Sequence, residues 1–423
     1  MFESKKILII GHVWPEPGSS AAGRRMMQLI DLFQSQGATI TFASAAASSG
    51  YMADLESLGI DCAGIEVNSS RFDGFVREIQ PAMVIFDRFM TEEQFGWRVA
   101  GQCPDALRIL NTEDLHCLRR SRKNALKWGE AFFPERLLSD ETARREIASI
   151  YRSDLSLIIS EAEMKLLQSV FDVDRDLLHY LPFMLQPVDT PAGPGRAGFD
   201  SRSHFIHIGN FRHEPNVDSV LFMKKEIWPL IRRQLPDAEL HLYGAYPTQK
   251  ALDLHDPDTG FLIMGRVENA GDVVGKARVC LAPLRFGAGL KGKLVEAMEY
   301  GTPSVTTEVG AEGIAGDLPW SGMIAGADQP KEIAKAAVTL YTDRMAWQKA
   351  VENGFQIINE RFPAENFKTE LISRIINLYN RLEQHRMNNF TGAMLMHHTM
   401  ASTRYMSRWI EAKNRSSAKS GKK

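Results

Sequence analysis

The sequence predicts an α/β protein made of two doubly wound domains, and three observations support this. Short apolar runs alternate with longer amphipathic runs along the chain, as is typical of a parallel sheet covered by helices. The alternation stops at residues 187–202, a stretch rich in Pro, Gly and Asp that is typical of a linker between domains. It then starts again, and 423 residues are enough for two or three domains.

In the first half of the chain, predicted strands lie at residues 7–10, 39–43, 83–86, 107–110 and 155–159. Helical patterns lie between or after them, at residues 22–36, 92–101, 142–152 and 161–171. Their apolar residues recur with the period of a helix that buries one face. We therefore predict an N-terminal domain over residues 1–186.

The second half repeats this alternation. Predicted strands lie at residues 205–208, 240–243, 261–264, 279–282 and 304–306. Predicted helices lie at residues 217–235, 290–300, 331–340, 345–360 and 364–385. We predict a C-terminal domain over residues 203–360, and a helix over residues 361–385 that packs back on the N-terminal domain.

Residues 386–423 differ from the rest of the chain. A segment rich in Met and His is followed by basic and small residues, and we expect a tail that is partly disordered. The alternative is a contact with a membrane surface or a partner, because Arg404, Arg408, Trp409 and Lys413 could share one face of a helix.

Composition and charge exclude several classes of protein. The apolar and charged fractions, 44% and 24%, are those of a soluble globular protein. The formal net charge of −2 gives no overall field that would attract nucleic acid. The four cysteines form no C-x-x-C pair and indicate reduced thiols rather than disulfides or a zinc site. The adjacent His397 and His398 lack further ligands, so we predict no metal.

The N-terminus predicts a β-strand rather than a targeting segment. Its apolar run is about five residues, against roughly 18 for a membrane span, and a signal peptide's apolar region is missing. We expect a cytoplasmic protein, and leave open a peripheral contact with the inner face of the membrane.

One stretch predicts a phosphate site: RFGAGLKGKLVEAMEYGTP, residues 285–303. It links the predicted strand 279–282 to a predicted helix. Glycines let backbone N–H groups approach an anion, and a helix N-terminus adds partial positive charge. Residues 287–293 fit G-x-x-x-x-G-K, but Leu294 stands where a P-loop needs a hydroxyl for Mg²⁺. We therefore predict a phosphate loop of another kind, with a tight turn bearing solvated lysines as the alternative.

Glu296 lies near the start of the predicted helix. A carboxylate there is favoured by the helix dipole by about 0.3–1 kcal/mol, so capping alone could explain it. It could instead accept hydrogen bonds from the two hydroxyls of a ribose. Phosphate on the loop and ribose on this acid would together hold a nucleotide.

Residues 283–314, PLRFGAGLKGKLVEAMEYGTPSVTTEVGAEGI, resemble the donor-binding segment of family 4 glycosyltransferases. The positions that match are LVEAM at 294–298, GTP at 301–303, Gly310, and EG at 312–313. Residues 205–244 resemble the opening strand, helix and strand of that family's C-terminal domain, and residues 9–44 fit the start of its acceptor domain. The resemblance covers most of residues 5–385 and implies the GT-B fold, in which two Rossmann-like domains face each other across a cleft.

The resemblance implies a retaining enzyme of the hexosyltransferase type. It would move a sugar from a nucleotide diphosphate sugar of UDP or GDP type to the hydroxyl of an acceptor. The acceptor would be a glycan, a lipid-linked glycan or a small molecule. No tightly bound cofactor, metal or nucleic acid is implied.

The resemblance also assigns residues to the donor. Glu296 would bind the ribose, and Val267 would hold the nucleobase through its backbone. Gly18 would let the acceptor-domain loop approach the donor phosphate, and Arg212 would lie at the edge of the cleft. The residues expected near the diphosphate are Arg285, Gly289, Lys291 and Lys293.

The sequence departs from the family pattern at two places. The family often carries a first glutamate eight residues before the second, and here Ala288 stands there. The family's lysine a few positions after Arg212 is also missing. Lys291 is the candidate to replace it, and we count it among the catalytic residues.

Titratable residues on the acceptor side follow the predicted strand 107–110. His116 or Asp114 could orient or deprotonate an acceptor hydroxyl, and we predict both as catalytic. The alternative is a helix start, with Thr112 as N-cap and Glu113 and Asp114 in the first turn. The basic run over residues 119–123 is either a solvated face or a contact for an anionic acceptor.

Two other functions remain open on this fold. One is different sugar-nucleotide chemistry, such as that of an epimerase-hydrolase. The other is a binding module that kept the nucleotide pocket and lost catalysis, which the missing first glutamate would allow.

Overall fold

The computed structural model of the protein describes residue 3, residues 5–188 and residues 197–420. These residues form two parallel sheets with helices on their faces, so the predicted fold class is confirmed. Of the expected linker at 187–202, residues 189–196 lie outside the described part of the chain.

The first sheet has seven parallel strands in the order β3-β2-β1-β4-β5-β6-β7. They are β1 (Lys6–Gly11), β2 (Thr39–Ser44), β3 (Asp61–Gly64), β4 (Met83–Asp87), β5 (Leu107–Asn111), β6 (Leu155–Ile158) and β7 (Leu178–Tyr180). Five of the six residues of β1 are buried, as expected for a central strand covered on both faces. The chain reverses direction across the sheet between β1 and β4.

Six helices accompany this sheet: α1 (Ala21–Ser35), α2 (Arg71–Ile79), α3 (Phe89–Gln102), α4 (His116–Trp128), α5 (Glu141–Arg152) and α6 (Glu161–Ser169). Side-chain caps fix two of the starts. Ser20 accepts a hydrogen bond from the N–H of Gly23 at α1, and Asp140 accepts one from Ala143 at α5.

The second sheet has six parallel strands in the order β10-β9-β8-β11-β12-β13. They are β8 (Ser203–Ile208), β9 (Leu240–Tyr243), β10 (Phe261–Gly265), β11 (Ala277–Ala282), β12 (Ser304–Thr307) and β13 (Gly322–Ala325). This is the 3-2-1-4-5-6 order of a Rossmann fold, with its reversal between β8 and β11.

The helices of the second unit are α7 (Glu214–Phe222), α8 (Trp228–Arg232), α9 (Gln249–Leu252), α10 (Gly271–Val274), α11 (Gly292–Glu299), α12 (Glu308–Ala311), α13 (Pro330–Thr342) and α14 (Arg344–Arg361). The sequence predicted one helix over residues 217–235. In the structure a π-helical turn, Met223–Ile227, lies between α7 and α8.

Three C-terminal helices follow: α15 (Ala364–Asn380), α16 (Leu382–Asn388) and α17 (Phe390–Ser420). α15 returns to the first sheet, where Leu371, Ile375 and Leu378 are buried in the same core as β1 and β4. A backbone bridge between Leu185 and Pro363 marks the crossing point.

The segment expected to be a partly disordered tail is helical over Phe390–Ser420, and residues 421–423 lie outside the described chain. The helix forms because one of its faces packs on α3 and α5. Gly392 lies against the carbonyl of Tyr151, and Ser407 accepts a hydrogen bond from Arg98 at 3.1 Å. Within the described residues, no helix is long and apolar enough to cross a membrane.

Candidate functional site

The two sheets present the carboxyl ends of their strands to a common cleft. The loops after β8 and β11 flank the reversal point of the second sheet, where doubly wound folds bind ligands. The loops after β1 and β4 hold the same place in the first sheet. The predicted donor segment follows β11, and the predicted acceptor-side residues follow β5. Both groups of residues therefore lie in the cleft.

The loop after β11 has the backbone of an anion site. Gly289 adopts φ +62°, a left-handed conformation that favours glycine. α11 begins at Gly292, and its N-cap, Lys291, makes no side-chain capping bond. A Cβ atom at Gly292 would lie 2.5 Å from the Cβ of Ala21 in α1. Glycine is therefore required where α11 meets the first domain.

Lys293 lies at the floor of the cleft. Its Nζ donates a hydrogen bond to Oδ1 of Asn216 at 2.7 Å and lies 3.2 Å from Nε2 of His207. A Cβ on Gly209 would come within 2.8 Å of this Nζ. Burial lowers the pKa of Lys293 to about 7. An anion bound beside it would favour the charged form.

Lys291 is buried at the end of the same loop, directly before α11. Its Nζ donates to the carbonyl of Gly289 at 2.9 Å and lies 4.0 Å from Oε2 of Glu312. Burial lowers its pKa to about 8, although the Glu312 carboxylate acts in the opposite direction. The two lysines therefore flank the start of α11 as partly desolvated cations.

Glu296 faces the first domain from α11. Burial raises its pKa to about 7, and Arg24 opposes this shift. The guanidinium of Arg24 is 3.9 Å from Glu296 and forms its two hydrogen bonds with Glu299, at 2.8 and 2.7 Å. Among the described residues none donates a hydrogen bond to the Glu296 carboxylate, so its oxygens are available to a ligand.

The predicted nucleobase and phosphate-approach residues lie together. A Cβ on Gly18 would be 3.0 Å from the carbonyl oxygen of Glu268, beside the half-buried Val267. Arg212 is exposed at the edge of the cleft, with its guanidinium 3.6 Å from the ring centre of Tyr246. The Tyr246 hydroxyl donates to Glu16 at 2.7 Å, which joins this edge to the first domain.

Arg285 already has an ion-pair partner. The resemblance groups it with the lysines expected near the diphosphate. In the structure its guanidinium makes two hydrogen bonds to Asp218, at 2.9 and 2.5 Å, and lies over the ring of Phe222. Both partners belong to α7, so the charge of Arg285 is already neutralised on the second domain.

The expected cap of α4 requires a correction. The helix begins at His116, and the hydroxyl of Thr112 donates to the carbonyl of Leu157 at 3.0 Å instead of capping it. The cap comes from another helix. The carboxylate of Glu146 accepts hydrogen bonds from the N–H groups of His116 and Cys117, at 2.7 and 2.8 Å. A cap so distant in sequence has no local signal.

Asp114 and His116 lie together in the cleft, with Oδ1 and Nε2 3.5 Å apart. Burial opposes ionisation of Asp114, but the paired Arg119 guanidinium outweighs it and lowers the pKa to about 2. Burial lowers the pKa of His116 to about 4, and Asp114 offsets only part of this shift. At pH 7 Asp114 is therefore ionised and His116 is neutral.

Comparison with known proteins adds two findings. Residues 202–343 match the profile of a family described as Glycosyl transferases group 1. The structure is similar to HepE of Anabaena, solved with UDP and glucose, at a TM-score of 0.66 and 13% identity over 88% of this chain and 99% of that one.

This protein has the GT-B fold. Sucrose-phosphate synthase from Thermosynechococcus elongatus is similar at a TM-score of 0.62 and 14% identity, over 89% of this chain and 99% of that one. A TarM mutant from S. aureus, solved with fondaparinux, α-GlcNAc-glycerol and UDP, has a TM-score of 0.55 and 13% identity. That comparison covers 73% of this chain and 58% of TarM. No curated protein matches by sequence.

Beside His116, the GT-B cleft opens into a cavity of about 430 Å³. Its walls carry the ring of Phe89 and several cations of the basic run. These cations are paired: Arg120 binds Asp140, and Lys123 binds Glu214 of the second domain at 2.5 Å. The cavity therefore offers a polar, partly neutralised surface next to the neutral imidazole.

The structure brings further side chains into the cleft. Arg122, from the basic run, donates hydrogen bonds to the carbonyl of Gly287 at 2.9 Å and to Glu312 at 2.8 and 2.6 Å. Glu163 accepts one from the N–H of Gly289 at 2.8 Å. Arg24 and Glu163 were not predicted as site residues, because their contacts form only where the two domains meet. Among the described residues, no group of three or more His, Cys, Asp or Glu could hold a metal.

Proposed function

We propose that this protein is a glycosyltransferase that moves a sugar from a nucleotide diphosphate sugar to an acceptor hydroxyl. One observation carries the proposal: Lys291, Lys293 and Glu296 surround the N-terminus of α11 at the reversal point of the second sheet. Two desolvated lysines and free helical N–H groups suit a diphosphate, and a carboxylate without a hydrogen-bond donor suits a ribose.

The geometry supports separate roles for the lysines and for His116 in the transfer. The bond between the sugar's anomeric carbon and the phosphate oxygen breaks, and the acceptor oxygen forms the new bond. Lys291 and Lys293 stabilise the negative charge that develops on the leaving diphosphate. The acceptor proton passes to that diphosphate or to His116, whose neutral imidazole can accept a hydrogen bond while Asp114 orients it.

The donor in this proposal is of the UDP type. HepE and TarM were solved with UDP, and a further HepE structure holds UDP-glucose. A hexosyl group and retention at the anomeric carbon are further parts of the proposal, and they rest on the resemblance of residues 283–314 to the donor segment of retaining enzymes.

The acceptor would enter through the cavity beside His116. That cavity lies in the first domain, with Glu214 closing it from the second. Its polar walls suit a hydroxyl-bearing glycan, a lipid-linked glycan or a small molecule. The alternative function, nucleotide-sugar binding without transfer, is favoured by one observation: Ala288 leaves the loop after β11 without an acid at that position.

Thermal unfolding with UDP, GDP and their sugars tests the donor site. We expect UDP and at least one UDP sugar to stabilise the protein, by roughly 2.7 kcal/mol at 100 times the dissociation constant. Release of UDP from that sugar, increased by an acceptor hydroxyl, would show transfer. Lys293→Met should lose both effects, whereas Lys335→Met, at an exposed position of α13, should keep them. A wild-type protein that none of these nucleotides stabilises contradicts the proposal.

Peripheral contact with a membrane through α17 is also part of the proposal. The free face of α17 carries Phe390, Tyr405 and Trp409, which are 76, 69 and 60% exposed. Exposed Arg404 and Arg408 lie among them. The single acid of the helix, Glu411, is turned inward to the hydroxyl of Ser70 at 2.7 Å. Aromatic rings with cations and no outward acid suit an anionic lipid surface.

Sedimentation with vesicles measures this contact. We expect binding to vesicles that contain phosphatidylglycerol, weaker binding at high salt, and little binding to pure phosphatidylcholine. Replacing Arg404 and Arg408 by Ser, or Trp409 by Ala, should lower binding severalfold. Lys349→Ser, at an exposed position of α14, is the control. Equal binding to both kinds of vesicle, or to neither, contradicts a contact driven by anionic lipid.

A further inference from the structure

Glu163 is a buried acid at the third position of α6. Ser160 precedes the helix, and an S-x-x-E spacing favours a capping box, in which the glutamate returns to the N–H of the serine. In the structure Oε1 of Glu163 instead accepts hydrogen bonds from the N–H groups of Leu115 and Gly289, at 2.9 and 2.8 Å. One carboxyl oxygen therefore joins the segment that carries Asp114 and His116 to the donor loop.

The other oxygen of Glu163 lacks a partner. The residue is fully buried, and within the described chain Oε2 has no hydrogen-bond partner. The hydroxyl oxygen of Ser160 is also buried and has no hydrogen-bond partner within the described chain. A Cβ on Gly313 would lie 2.5 Å from this oxygen. A buried polar atom left unpaired destabilises the folded protein, because it has lost its hydrogen bonds to water. The Ser160 hydroxyl faces the segment after α12, and Oε1 of Glu163 contacts the loop after β11.

The position of these oxygens matches the place of a sugar. In the proposed function the diphosphate lies at Lys291 and Lys293, and the acceptor lies at His116. In this proposal the transferred sugar lies between them, next to Glu163, whose Oε1 accepts hydrogen bonds from the backbone of Leu115 and of Gly289. The donor loop brings no acid there itself, because the residue before Gly289 is Ala288, whose side chain packs on the core of the first domain.

The protonation of Glu163 is consistent with a hydroxyl partner. Burial raises its pKa to about 8, and the nearby Asp114 carboxylate adds to this while the two N–H groups oppose it. Since Oε1 accepts both N–H bonds, the proton of the neutral carboxyl lies on Oε2. That oxygen can both donate to and accept from a sugar hydroxyl.

We propose that Glu163 binds a hydroxyl of the donor sugar through Oε2, so that the first domain helps to select the sugar. This inference rests on the proposed function. It predicts an effect on the sugar that is separate from the effect on the nucleotide, because the nucleotide is held by the second domain.

The test compares the dissociation constants of UDP and of three UDP sugars by calorimetry, with UDP-glucose, UDP-N-acetylglucosamine and UDP-galactose as probes. The quantity compared is the ratio of the dissociation constant of the preferred UDP sugar to that of UDP. In Glu163→Met this ratio should rise about tenfold, the equivalent of about 1.4 kcal/mol. Binding of UDP should stay within about twofold. Glu161→Met, two residues earlier on the same helix, is the matched control and should leave the ratio unchanged.

Two results with Glu163→Met overturn the inference: an unchanged ratio, or an equal loss for UDP and its sugars, which would show that Glu163 only bridges the domains. If Glu163→Met does not fold, Glu163→Gln keeps an acceptor for both N–H groups. The ratio should then change between pH 7 and 9 in the wild type and stay constant over this range in Glu163→Gln. If the ratio depends on pH in the same way in both proteins, the inference is overturned. A wild-type protein that binds no nucleotide sugar contradicts the proposed function itself.

Discussion

At the scale of single residues, the proposed donor site contains two groups whose pKa values lie close to 7. Burial raises the pKa of Glu296 to about 7 and lowers that of Lys293 to about 7. Neither group is fully charged before a ligand arrives, so the free cleft avoids part of the cost of burying ions. A bound nucleotide would supply hydroxyls for the acid and phosphate for the lysine.

Glu296→Gln tests the ribose assignment. A carboxylate accepts hydrogen bonds more strongly than an amide, so we expect about tenfold weaker binding of UDP-glucose in the variant at pH 8. Because the pKa is raised, ionised Glu296 is formed only as pH rises through about 7. The loss should therefore be small at pH 6 and grow toward pH 8, as measured by calorimetry.

Glu308→Gln, an exposed acid at the start of α12, is the control for this experiment. A difference between wild type and Glu296→Gln that is the same at pH 6 and pH 8 would contradict a role for the charged carboxylate. No difference at either pH would remove Glu296 from the donor site.

At the scale of elements, the start of α4 depends on a side chain from α5. Glu146 accepts the N–H bonds of His116 and Cys117, while burial raises its pKa to about 7. This raised pKa stabilises the folded protein fully below about pH 4.5, which is the pKa of glutamate in the unfolded chain. The stabilisation is lost as pH rises through 7. The cap thus links α5, α4 and the orientation of the His116 imidazole.

Glu146→Ala should lower the free energy of unfolding by about 1–3 kcal/mol, because it leaves two buried N–H groups unpaired. Glu146→Gln, which can still accept, should cost less and should flatten the fall of stability between pH 5 and 8. Urea unfolding followed by circular dichroism measures both. Glu141→Ala, an exposed residue on the same helix, is the control, and an equal effect of Glu141→Ala and Glu146→Ala would show that the cap is unimportant.

Most strands and helices of both sheets could be predicted because they rest on local patterns, whereas the short strands β3, β7 and β13 and the helices α2 and α4 were not predicted. Buried parallel strands are continuous apolar runs, and the predicted bounds of β1, β9 and β11 differ from the observed ones by two residues at most. The proposed phosphate loop could be predicted for the same reason, since its glycines and lysines are contiguous. The cap of α4, the Asp218 partner of Arg285 and the proposed role of Glu163 depend on residues distant in sequence, and local sequence patterns do not predict such contacts.

At the scale of the whole molecule, the two domains meet through ion pairs at the mouth of the cleft. Arg122 binds Glu312 through two hydrogen bonds, and Arg24 binds Glu299 in the same way. Lys123 adds a third pair with Glu214. Opening of the cleft would break these contacts, so we expect them to favour the closed form.

Arg122→Glu should open the cleft, because two carboxylates would then face each other across it. We expect a larger radius of gyration by small-angle X-ray scattering than in the wild type. Exchanging the pair, as Arg122→Glu with Glu312→Arg, should restore the compact form. Arg136→Glu, which breaks a pair within the first domain, should leave the radius unchanged. If all three variants have the wild-type radius, this pair does not hold the domains together.

The return of α15 to the first sheet has a consequence for synthesis. One face of that sheet is completed by Leu371, Ile375 and Leu378, which lie more than 360 residues after the first strand begins. Domains fold as units while the chain emerges from the ribosome. The second domain is continuous and can close as soon as α14 has emerged, whereas the first must wait with an uncovered apolar surface. The first domain is thus synthesised before the second but completes its folding after it.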